Sequence, residues 1–159
     1  MHVMAWQWWL FLHLTGILAF VGAHGVSMFV LYRIRGERDR QRIAELITFS
    51  GTTTRPMYIG LLILTAGGVG AGITLHLFSQ WWLWISIVIL LVTIGLMSGL
   101  AGPYFRRITA ACEVRPSGVP RVSDEELMQL LRSGEAHVIS AIGIVGLLAI
   151  LYLMLFKPF

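Results

Sequence analysis

Four apolar stretches, each of about 20 residues or more, fill most of this chain, and that length and number constrain the fold more than any motif does. They run Trp8–Tyr32, Met57–Phe78, Trp81–Phe105 and His137–Phe156. Each suffices to cross a hydrocarbon core of roughly 30 Å at 1.5 Å per residue. Lipid offers the backbone no hydrogen-bond partner, so all four should be helices. The expected fold is therefore all-α: an integral membrane four-helix up-and-down bundle, one four-span domain over residues 1–159. Composition agrees, with 57% hydrophobic against 13% charged residues.

A net charge of +4 could suggest a nucleic-acid partner, but the positions of the charges speak against one. Eleven of the twelve Lys and Arg fall in two loops, residues 33–56 and 106–136. By the positive-inside rule both loops face the cytoplasm, which puts both termini on the outer side. Trp6, Trp8, Trp9, Trp81, Trp82 and Trp84 all fall at the opposite, outer interface, where amphipathic rings anchor. The opening MHVMAWQWW has no positive n-region and its apolar run is too long for a cleaved signal peptide, so it is expected to be the first span.

The loops contain local devices rather than a second domain. Residues 38–48 suit a short interfacial helix. After the break at Pro116-Ser117-Gly118-Val119-Pro120, Ser123 and Glu126 have the spacing of a capping box, predicting a helix from Asp124 to about Arg132. Cys112 stands alone, so no internal disulfide is possible.

Ionisable groups at membrane depth are costly and point to function. No span holds Asp, Glu, Lys or Arg in its middle, which argues against proton pumps and ion-coupled transporters. Histidines are present instead. His13 and His24, eleven residues apart, project from one helix face. Counted from mid-span at 1.5 Å per residue, His13 and His76 lie roughly 9 and 13 Å toward the outside, and His24 and His137 roughly 7 and 14 Å toward the inside. The four sort into an outer and an inner pair. Two facing imidazoles are what a low-spin haem needs as axial ligands. One or two b-type haems would make the chain an electron carrier within or across the bilayer, with quinone as a fitting partner. Arg55, with Arg33 and Arg35, would lie near propionates at the inner pair.

Other readings stand beside this one. The histidines could be packing residues, hydrogen-bonded to hydroxyls or carbonyls between helices. They could also hold copper or zinc, since imidazole suits both, although Met4, Met28, Met97 and Met154 are too scattered for a thioether stair. A terminal amine with His2 could catch copper on the outside. Gly60, Gly67, Gly68, Gly70 and Gly72 in the second span, Gly16, Gly22 and Gly25 in the first, and Gly143 and Gly146 in the last suit a tight helix seam, or room for a flat cofactor. A colourless accessory or assembly subunit, docked in the bilayer to other membrane subunits or to copies of itself, is the non-enzymatic alternative.

The opening Trp9-Leu10-Phe11-Leu12-His13-Leu14-Thr15-Gly16, the basic loop after the first span, and the close Tyr152-Leu153-Met154-Leu155-Phe156-Lys157-Pro158 together carry a resemblance. The chain is similar over nearly its whole length to a family of predicted bacterial integral membrane proteins of unknown function, themselves distantly similar to the copper-resistance D (CopD) membrane domain. It also resembles HemJ-like haem-associated membrane oxidases in placing a histidine, His13, early in the first helix, but carries no motif of their catalytic sequence. The resemblance implies the four-span fold and a place in the bacterial inner membrane, and no settled activity.

Overall fold

A computed structural model describes residues 4–158 of the chain. His2 lies outside the described residues. Six α-helices follow one another: α1 (Ala5–Arg33), α2 (Arg40–Thr52), α3 (Thr54–Thr74), α4 (Trp81–Cys112), α5 (Asp124–Arg132) and α6 (Glu135–Phe156). Four helical segments, containing α1, α3, α4 and α6, are long and apolar enough to cross a membrane. Among the described residues there is no strand, only an isolated bridge between Val114 and Pro120 that closes the loop after α4.

The long helices form two antiparallel pairs, α1 with α3 and α4 with α6. The first pair is built on glycine. A Cβ on Gly16 or Gly67 would fall inside 3.0 Å of the backbone of Leu64 or His13, and one on Gly60 would stand 2.6 Å from the Phe20 nitrogen. Trp9 lays its ring over Gly70 in the same register. Backbones this close gain dispersion along their whole length, the main source of helix adhesion where lipid and side chains are equally apolar. At the end of this seam Ser27 Oγ lies 3.2 Å from Thr53 Oγ1 and accepts from Ser50 Oγ at 3.1 Å. In the second pair Gly146 receives the Thr93 side chain. The glycines are thus a packing device in both pairs.

The pairs join at their basic ends. Val30, Leu31 and Ile34 from the end of α1, Ile43 of α2, Tyr104 and Ile108 of α4, Leu127 and Leu131 of α5 and Ile139 of α6 make one buried cluster. At the tryptophan-rich end only a small cluster of Trp82, Leu83 and Leu153 is buried. α3 and α4, although consecutive, do not pack along each other. The arrangement is two glued pairs fastened at one end, more open than a four-helix bundle with every neighbour in contact.

Two arginines supply the fastening. Arg35 donates to the carbonyls of Leu131 at 3.1 Å and Ser133 at 2.8 Å, satisfying the end of α5 where backbone acceptors have no helical donor. Arg40 donates to the Ala111 carbonyl at 2.6 Å, the Val122 carbonyl at 3.0 Å and the Asp124 carboxylate at 2.6 Å, tying α2 to the end of α4 and the start of α5. Their fork geometry fits several acceptors at once. Arg107 pairs with Glu135 across α4 and α6.

Three boundaries differ from expectation. The second apolar helix ends at Thr74 and not Phe78, because His76 turns into the left-handed region at φ 53° and reverses the chain. α4 runs on to Cys112 through Pro103, whose missing N–H leaves the Gly99 carbonyl without its helical donor. Most of the first basic loop is helix, α2, separated from α3 only by Thr53; Pro56 falls in the first turn of α3, where a missing N–H costs nothing. The Ser123–Glu126 capping box is present as expected, with the Glu126 amide donating to Ser123 Oγ at 3.1 Å and the Ser123 amide to Glu126 at 3.0 Å.

Candidate functional site

The four histidines take four different places. His13 sits in the α1–α3 seam, its ring against Gly68, and its Nδ1 lies 2.6 Å from the Leu64 carbonyl oxygen. A carbonyl only accepts, so Nδ1 carries the proton and donates, leaving Nε2 with its lone pair. His76 is an exposed turn residue just past α3, and its amide donates to Ile73. Histidine is among the few side chains that enter the left-handed region with any frequency.

His24 and His137 lie on α1 and α6. The His137 ring stands against Tyr32, with Nδ1 3.4 Å from the Tyr32 hydroxyl, and is exposed. His24 is half-buried, stacks parallel on Phe20 one turn before it, and points Nε2 at Gly143 of α6. Among the described residues it makes no hydrogen bond. His13 and His24 share a projected face yet serve different neighbours, because α6 meets α1 in the half that carries His24 and Tyr32.

The expected pairs therefore do not form. His13 is level with Gly67 and Gly68, and His76 lies eight residues beyond Gly68, about 12 Å along the axis. His24 is level with Gly143, and His137 lies six residues before it, about 9 Å along α6. Axial ligation needs two imidazoles at one depth, so the four residues do not fit two bis-histidine haems as placed. Arg55 is exposed near the start of α3 and makes no hydrogen bond among the described residues. Arg35, expected near propionates, is committed to the end of α5. Two surface concavities, about 750 Å³ beside α5 (Arg38, Asp124, Glu125, Met128, Gln129, Arg132) and about 350 Å³ at the outer turn (Phe78, Ser79, Trp81, Trp84), have no histidine in their walls.

One convergence remains, at the junction of the two pairs. A Cβ on Gly143 would lie 3.5 Å from His24 Nε2 and 3.9 Å from both Sδ and Cε of Met97. An imidazole from α1 and a thioether from α4 thus approach the same point over a glycine of α6. One turn along α6, Ser140 Oγ is buried without a partner. Sequence reasoning set Met97 aside with Met4, Met28 and Met154 as too scattered, because it belongs to no run or repeat of methionines. Gly143 gave the one available signal, as a small residue that leaves room between helices. Among the described residues no three His, Cys, Asp or Glu side chains gather around a common point, so any metal here would be held by few protein ligands. Comparison with protein-family models, with curated proteins and with solved structures returned no match.

Proposed function

We propose that this chain is a multi-pass protein of the bacterial inner membrane that handles a metal, with the space around His24 as its working site. The observation that carries the reading is the unbonded Nε2 of His24, which reaches across the junction of the helix pairs to Gly143. Of the two half-buried histidines, His13 is already satisfied by Leu64, whereas His24 has a free donor pair in an apolar setting. An unpaired imidazole in hydrocarbon is expensive unless it finds a ligand. Soft and borderline metals accept such donors without needing a buried countercharge. The basic ends then face the cytoplasm, and Trp81 and Trp84 lie at the outer interface.

The test is elemental analysis and an absorption spectrum of protein purified in mild detergent, beside His24→Ala. The expected result is metal in the wild type, lost in the variant. An α-band near ~560 nm on reduction, as bis-imidazole b-type haem would give, would restore the electron-carrier reading. A metal-free, colourless protein that co-purifies with other membrane proteins would replace both with the accessory-subunit reading.

A further inference from the structure

The register of the first helix pair lifts one arginine into the bilayer. Ser27 stands opposite Thr53, Phe20 opposite Gly60 and His13 opposite Gly67. Arg55, two residues past Thr53, is therefore level with Gly25 of α1. The charged residues of the other long helices lie lower. The Tyr32–His137 contact sets α1 against α6, and Arg107 of α4 pairs with Glu135, so Arg33, Arg107 and Glu135 form one belt at the inner interface. Gly25 precedes Arg33 by eight residues, which places the Arg55 backbone about 12 Å inside that belt. A fully extended arginine side chain spans roughly half this distance.

We infer that Arg55 anchors a site for an anionic phospholipid of the inner leaflet, taking its phosphate at the lipid-facing surface where α2 runs into α3. This rests on the placement in the bilayer and not on a metal at His24. Arg55 faces away from its own pair: at about 100° per residue, the seam residues Gly60, Leu64 and Gly67 lie about 120–180° around the helix from it. It is exposed and makes no hydrogen bond among the described residues. No carboxylate of the chain reaches it, because all eight Asp and Glu lie at the charged belt or on its cytoplasmic side. A guanidinium at membrane depth needs a partner. A lipid phosphate is the anion that a bilayer itself supplies there, and it fits the guanidinium fork. A polar path also leads to Arg55 from the interface. Thr48, Gly51 and Thr52 are exposed on the same side, since Thr53 keeps a helical backbone at φ −82° and ψ −8° between α2 and α3. Thr48, seven residues before Arg55 and about 10 Å lower, lies at the belt. A Cβ on Gly51 would meet nothing within 4 Å, which leaves room for a headgroup. Helix side chains lean toward the N-terminus, so Arg55 leans down this path.

The test uses the full chain in mild detergent, titrated with dioleoyl phosphatidylglycerol. Dioleoyl phosphatidylcholine, whose phosphate is balanced by its own choline, is the control. Native mass spectrometry counts bound lipids, and the melting temperature follows occupancy. The expected result is one phosphatidylglycerol per chain, bound about 5-fold or more tightly than phosphatidylcholine. Arg55→Leu and Arg55→Gln, both changes at an exposed position, should lose that preference. Arg115→Gln, which removes an exposed arginine of the cytoplasmic loop, should keep it. The Arg55-dependent preference should also persist in about 1 M salt, because its charge lies out of the aqueous phase.

A preference that both Arg55 variants leave intact, that Arg115→Gln removes equally, or that salt abolishes would overturn the site and leave a general attraction of the basic end to anionic lipid. Loss of a co-purifying subunit in the Arg55 variants, with lipid binding unchanged, would overturn it in favour of a partner helix bearing a carboxylate. Metal at the other site is read separately in His24→Ala, so the two accounts fail independently.

Discussion

Gly16 of α1 lies directly on the backbone of Leu64 in α3, so close that a Cβ would come within 3.0 Å of the Leu64 nitrogen, Cα and Cβ together. Nothing flexible lines that contact, and adding even a methyl group must separate the helices. Gly16→Ala and Gly67→Ala are each expected to destabilise the fold by about 1–3 kcal/mol, the usual cost of overpacking. Gly22→Ala is the control: its Cβ would meet nothing within 4 Å, and the change should be neutral or stabilising by about 0.5–1 kcal/mol. Thermal melts in one detergent check the contrast. Equal behaviour of Gly16→Ala and Gly22→Ala would remove the seam from the account.

His13 is expected to be glue. Its bond to the Leu64 carbonyl is the kind that contributes about 0.6 kcal/mol between helices in a bilayer. His13→Ala should lower the melting temperature slightly and leave metal content unchanged. Metal content of the purified variant checks this, and its loss would return His13 to the site.

Arg35 and Arg40 fasten the basic end through backbone acceptors. Arg35→Ala should cost about 1.5–3 kcal/mol, in the range for hydrogen bonds to a charged group. Hydrogen exchange should speed up first in α5. Arg35→Lys should recover part of the loss, because a single nitrogen, Nη1, donates to both the Leu131 and Ser133 carbonyls and an ammonium with three protons can offer the same pair. Full protection of α5 in Arg35→Ala would contradict this.

Glu37 follows α1 and gives the basic end an acid limb. The Arg38 and Asp39 amides donate to its carboxylate at 3.0 and 3.4 Å, and Arg33 and Arg42 stand near it; together these hold its pKa below the ordinary carboxylate range. A lowered folded-state pKa stabilises above the unfolded value and loses that contribution as pH falls through the folded one. The melting temperature of Glu37→Gln should thus lie below wild type at neutral pH and approach it below pH about 4. A gap that persists at low pH would mean that Glu37 acts by shape alone.

What could be seen from residues alone was set by periodicity and end signals. Long apolar runs specified four helices, and the Ser123–Glu126 spacing marked the start of α5 because a cap is a local interaction. The glycines on the first two spans announced a seam, and Gly16, Gly60, Gly67 and Gly70 form it. Depth counting failed for the outer pair because span midpoints do not fix how two helices are staggered: the seam sets His13 opposite Gly67 and Gly68, half-way along the second span, and leaves His76 about 12 Å further out. Which helices would pair was also out of reach: α3 and α4 are neighbours in sequence, yet each packs on another partner. The approach of Met97 and His24 to one point over Gly143 depends on that pairing, a relation between three helices that no local pattern encodes.

The most direct measurement is the metal content of the full chain purified in mild detergent, wild type beside His24→Ala and His13→Ala. The account predicts metal in the wild type that is kept in His13→Ala and lost in His24→Ala. A metal-free wild type, or a metal content that His24→Ala leaves unchanged, would contradict it.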